Sequence, residues 1–138
     1  MKKIDLFREV LAYLAPIHGN VETELHFQTP FQLLVATVLS AQCTDKRVNM
    51  VTPALFESFP TPVEMSQATP EAIFEYIRSV SYPNAKAKHL VELAKMLVEK
   101  YQGEVPQTLE QLTQLPGVGR KTANVVLAVA FGQAALAV

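Results

Sequence analysis

Lys121 is the residue of this sequence best placed for covalent chemistry. It lies in the run LPGVGRKTAN, residues 115–124, directly ahead of the apolar stretch VVLAVAF. A lysine is a nucleophile only as the unprotonated amine. This one falls in what reads as the first turn of a helix, the end at which the helix dipole disfavours positive charge. Gly117 and Gly119 permit positive φ and leave room for another backbone to come close. The N–H groups of such a turn, and of the first helical residues, converge into an anion nest. A DNA phosphate is a natural occupant, with Arg120 adding charge. Phosphate contacts position a protein on a duplex without reading bases.

Other chemistry-bearing residues are isolated. Cys43 is the single cysteine, so it can form no internal disulfide and builds no zinc or iron–sulfur site by itself. It reads as a small buried apolar thiol. His18, His26 and His89 lack ligand-like spacing, and no metal site is expected.

The elements that position the hairpin are helices. Ile4, Phe7, Leu11 and Leu14 recur at helical spacing up to Pro16 and Gly19. Thr29-Pro30 places a cap and an N1 proline before FQLLVATVLSAQ, an almost wholly apolar and therefore central helix. Thr44 or Asp45 caps a third helix carrying Val48, Val51, Leu55 and Phe56 on one side. Thr61-Pro62-Val63-Glu64 is a capping box, and Thr69-Pro70 opens another helix. After the break SYPNAKAKHL, Leu90, Leu93, Leu97 and Tyr101 form a face that stops at Gly103. Thr108 to Gln111 is a second capping box, opening a short helix that ends at Leu115. The glycine turn follows, then a helix over 120–131 with Gly132 as its stop. No segment alternates with the period of a strand. The expectation is one all-α domain over residues 1–138, a barrel-like bundle of about eight helices.

Twelve basic and 13 acidic residues give a net charge of −1. Nucleic-acid binders usually show a basic face, so composition argues mildly against one, although a local patch remains compatible. Asp5, Arg8 and Glu9 interrupt the apolar stretch that a signal peptide needs. The apolar end, Val125 to Val138, is shorter than the ~20 residues of a membrane span. A cytoplasmic protein without membrane contact is expected.

LPGVGRKTANVVL is similar to the helix-hairpin-helix of the DNA glycosylase superfamily, and most closely to its endonuclease III family. TPFQLLVATVLSAQCTDKRVN resembles that family's second helix and the turn after it, and NAKA, GEVP and AFG fall at matching intervals. The resemblance covers essentially the whole chain. It implies a base-excision-repair glycosylase and abasic-site lyase for oxidised pyrimidines, acting on double-stranded DNA with damaged bases or abasic sites. Lys121 matches the catalytic lysine, whose amine attacks C1′, expels the base and forms a Schiff base that β-elimination resolves with strand cleavage. Leu115, Gly117, Val118, Gly119 and Arg120 match the DNA-binding hairpin. Gln42 matches the residue that enters the gap left by a flipped base. Ser40 and Asp45 fall at pocket positions, with helix capping as the competing role for Asp45. Adenine-specific and several alkylbase glycosylases lack the lysine. A monofunctional adenine-type relative and a non-catalytic DNA-binding module are the alternatives.

Two stretches depart from the family pattern. Where the family usually has a Gly–apolar–Tyr wedge, this chain has Ser81, Tyr82 and Pro83. Tyr82 aligns with the wedge and can stack on bases, while Pro83 stiffens the loop and removes a donor. The family continues into an aspartate that assists the lysine, and later into four cysteines that bind a [4Fe–4S] cluster. Here AALAV ends at Val138. The expectation is that the cluster belongs to a longer parent and that this chain has little or no glycosylase activity. The apolar face of the first helix, with Phe7, Leu11 and Leu14, is then expected to be left open and to favour self-association.

Overall fold

Threonines stand immediately ahead of five helices in the computed structural model, which describes residues 23–132. Thr29 accepts from the amide of Gln32 and starts α1, Pro30–Leu39. Thr44 accepts from Arg47 and starts α2, Asp45–Ser58. Thr61 starts α3, Pro62–Ser66, where the Glu64 carboxylate accepts from the Thr61 amide at 3.0 Å and from its hydroxyl. Thr69 starts α4, Pro70–Ile77, and Thr108 starts α6, Leu109–Thr113. The oxygens of Thr29, Thr44, Thr69 and Thr108 each take an N–H that has no acceptor within its own helix. The two other helices, α5 (Pro83–Tyr101) and α7 (Arg120–Phe131), begin without a side-chain cap.

These seven helices, with no strand among the described residues, bear out the all-α expectation. The first helix anticipated from Ile4, Phe7, Leu11 and Leu14 lies outside the described residues, as does the self-association surface assigned to it. α1 is the centre of the fold. Every residue from Phe31 to Leu39 is buried, because α1 packs against α2, α5 and α7. α5, the longest helix, lies across α3 and α4, and α6 packs on α7. Leu33, Leu34, Leu55, Ile73, Leu90, Leu93 and Leu112 are fully enclosed in one core.

Of the two expected caps of α2 the structure takes Thr44, and Asp45 is the first helical residue. Two helix ends differ from the sequence expectations. The helix after Thr108 stops at Thr113, two residues before Leu115. α1 stops at Leu39, although the apolar run continues to Ala41. Continuing it would require the Leu39 carbonyl to accept from the next turn. That oxygen instead takes an N–H from the Lys86 ammonium at 2.8 Å.

Candidate nucleic-acid interface and active site

The hairpin between α6 and α7 hangs from two core anchors. Leu115 and Val118 are buried, and Leu115 N–H and Val118 N–H turn the chain by donating to Leu112 and Leu115 carbonyls at 3.1 Å each. Their side chains therefore point inward, and these positions offer main chain to the outside. Gly117 is glycine for two reasons. Its φ is +78°, and a Cβ there would meet Cβ of His89 at 2.9 Å. Gly119 differs from expectation. Its φ of −94° and ψ of −177° are extended backbone open to any residue. What its lack of a side chain preserves is clearance, since nothing lies within 4 Å of an added Cβ.

That clearance lies at the uncapped start of α7. With glycine at the N-cap, no side chain satisfies the first turn, so its amides are available to an outside acceptor. Arg120 and Lys121 are the first two helical residues, and both are exposed. The stretch LPGVGRKTAN thus brings an uncapped first turn and two exposed cationic side chains to one end of α7. No described residue walls off Lys121 from solvent.

A second group of expected residues gathers between the end of α1 and the start of α5. Gln42 and Tyr82 are both exposed and both left-handed, with φ of 55° and 50°. Ser40 is the C-cap of α1, and its hydroxyl donates to the Thr37 carbonyl at 2.8 Å. Asp45 is half-buried at the start of α2. Ser81, beside Tyr82, donates its hydroxyl to the Gln42 carbonyl at 2.8 Å. Pro83 takes the first position of α5, where its missing N–H removes no helical bond.

Sequence reasoning missed Lys86, the one charged side chain buried among the described residues. Its ammonium donates to the carbonyls of Leu39 at 2.8 Å and Ala41 at 2.6 Å, and to Ser81 Oγ at 3.1 Å. Burial pushes its pKa below the ordinary lysine value, and the nearby Cys43 acts in the opposite direction. A signal existed. Lys86 shares the stripe of Leu90, Leu93 and Leu97, so a charge sits on the face of α5 that enters the core.

Comparison with known proteins places these features in a family context. Residues 35–135 match the HhH-GPD superfamily base excision DNA repair protein family. The chain is 50% identical over 124 residues to endonuclease III of Synechocystis sp., covering 90% of this chain and 57% of that protein. It is 44% identical over 138 residues to endonuclease III of Bacillus subtilis, covering all of this chain and 62% of the relative. It superposes with a TM-score of 0.79, at 46% identity, on a trapped endonuclease III–DNA covalent intermediate, an estranged-adenine complex; 94% of this chain and 61% of that one are covered. The chain thus spans about three-fifths of the length of these relatives. The cluster implied by the resemblance needs four thiolates, whereas the sequence has one cysteine and no three metal-donor residues converge among those described. These residues do not fit such a cluster, and no chemistry here is routed through it.

Proposed function

The chain belongs to the HhH-GPD superfamily of base excision DNA repair proteins, and from that premise we propose that it carries the hairpin and nucleophile of a DNA glycosylase and abasic-site lyase of the endonuclease III kind. One observation carries this reading: Lys121 stands exposed in the first turn of a helix whose uncapped amides and Arg120 can hold the adjoining phosphate. The superposition on a covalent endonuclease III–DNA intermediate supports a reaction through a protein–DNA bond.

In the proposed reaction the neutral Lys121 amine attacks C1′ of an oxidised pyrimidine nucleotide. The glycosidic bond breaks and the base leaves with its electron pair. The nitrogen then gives up its protons, to the departed base and to O4′, as the C1′–O4′ bond breaks; the ring opens and a Schiff base joins Lys121 to C1′. Loss of a proton from C2′ and β-elimination break the bond from C3′ to its oxygen, nicking the strand, and water hydrolyses the remaining Schiff base to free the lysine. At a pre-formed abasic site the amine condenses with the aldehyde and releases water, and elimination follows in the same way. Gln42 fills the vacated stack and Tyr82 wedges beside it, because extruding a base leaves a gap that must be occupied. Ser40 and Asp45 border the base pocket. The backbone of Leu115, Gly117, Val118 and Gly119 presents the phosphate nest. We further propose that the longer relatives' [4Fe–4S] cluster lies on a segment beyond the matched region. Among the described residues no helix is long and apolar enough to cross a membrane, in keeping with a protein that works on DNA.

Borohydride trapping on a duplex with one abasic site tests the assignment, because reduction converts the Schiff base into a stable amine bond. The expected result is a protein–DNA adduct that Lys121→Gln abolishes while duplex binding is retained. An adduct of undiminished yield in Lys121→Gln would remove Lys121 from the role. Duplex binding with no adduct in the unmodified chain would favour the non-catalytic module.

A further inference from the structure

Lys86 takes no part in the covalent steps above, yet it is buried and charged. An ammonium has three donors, and here each ends on an oxygen. Two go to the end of α1, on the Leu39 and Ala41 carbonyls, and one goes to Ser81 Oγ in the loop before α5. Ser81 passes its own proton on to the Gln42 carbonyl at 2.8 Å, with the Ala41 carbonyl at 3.3 Å. The bonds therefore form a closed bridge between two turns whose residues lie 39 to 47 positions apart in sequence. The Leu39 carbonyl is the last of α1 and the Ala41 carbonyl lies in the turn just past its C-cap, an end where the dipole favours a cation.

The bridged turns hold two of the three described non-glycine residues in the left-handed region, Gln42 and Tyr82; the third, Gln102, closes α5. Such conformations persist only where their surroundings fix them, and they cluster at functional sites. Without the ammonium the Leu39 and Ala41 carbonyls and Ser81 Oγ would lose the cation that joins them, and the Gln42 turn would be held less firmly.

We propose that Lys86 is a positioning residue that joins the Gln42 turn and the Ser81–Tyr82 turn into one rigid element, so that the gap-filling residue and the wedge enter damaged DNA together. The proposal rests on the roles given to Gln42 and Tyr82 above. Lys86 touches neither DNA nor the reacting atoms. It acts by fixing where two other side chains start from.

Hydrogen exchange of the free chain and binding to two duplexes test it together. One duplex is undamaged; the other carries a tetrahydrofuran abasic analogue opposite 2-aminopurine. In Lys86→Met and in Ser81→Ala, amides of residues 40–44 exchange several-fold faster, although Ser81 lies in a different segment. Affinity for the undamaged duplex stays within about twofold. Preference for the abasic analogue falls roughly tenfold in Lys86→Met, the scale of a lost charge-assisted hydrogen bond, and by less in Ser81→Ala. The 2-aminopurine signal on binding falls with it. Should Lys86→Met fail to fold, the half-buried Ser81→Ala carries the test, since it breaks the bridge without emptying a buried site. Unchanged exchange at 40–44, or an unchanged preference in folded variants of a chain that does discriminate, overturns the proposal. An unmodified chain that shows no preference for the abasic analogue overturns the roles of Gln42 and Tyr82 themselves, and the two failures are told apart by that comparison.

Discussion

Gly117 and Gly119 look equivalent in sequence, yet the structure gives them different work. Gly117 holds a φ of +78° against the His89 side chain. A Cβ there is both strained and in collision, so Gly117→Ala is expected to lower unfolding stability by about 1–3 kcal/mol, measured by urea denaturation. Gly119 has an ordinary φ and open space around it. Gly119→Ala should cost under about 1 kcal/mol, the scale of a poorer N-cap. It should nevertheless weaken duplex binding, measured by fluorescence anisotropy, because a methyl group intrudes where a phosphate approaches. Unchanged duplex binding in a folded Gly119→Ala chain would show that the clearance is not what matters.

Helix starts were written into the chain and helix ends less so. A threonine followed by proline or by an acidic or amide residue three positions on announces four of the five threonine-capped helices, since both partners lie within one turn. The α3 box also predicts a pH effect. The Thr61 hydroxyl, and then backbone amides, hold the Glu64 carboxyl below its ordinary value. The folded pKa is therefore lower than the unfolded one. Its stabilisation is present above the unfolded pKa and is lost as pH falls through the folded pKa. Urea midpoints measured from neutral pH downward should fall less steeply in Glu64→Gln, whose amide can still accept from Thr61 but does not titrate. Identical profiles would exclude the carboxylate as a contributor. The end of α1 was not legible in this way, because its last carbonyl is met by Lys86, on another helix.

Across the whole molecule, α1 acts as the axle. It is buried on all sides between α2, α5 and α7, and α7 in turn carries Lys121 at its open end. Leu34 is fully enclosed, so Leu34→Ala should cost about 2–5 kcal/mol through lost burial and the cavity left behind. Calorimetry or urea unfolding measures this. A loss below about 1 kcal/mol would mean that α1 is not the structural centre. The net charge of −1 gave little hint of the proposed DNA partner, because a binding face needs only local charge. In that proposal the charge is the Arg120–Lys121 pair beside uncapped amides.

By itself the sequence determined the helical class, most of the capped helix starts, the hairpin and the place of Lys121 at its far side. All of these depend on residues within a turn or two of one another, so composition and spacing carry the information. Only the tertiary structure decided how Gln42 and Tyr82 are held, where α1 stops, and that Leu115 and Val118 anchor the hairpin from inside. Those outcomes depend on side chains brought together from distant parts of the chain. The bonds from Lys86 to the end of α1 bridge 45 and 47 residues. Local pattern has no access to such a bond, because its partners become neighbours only when the core forms.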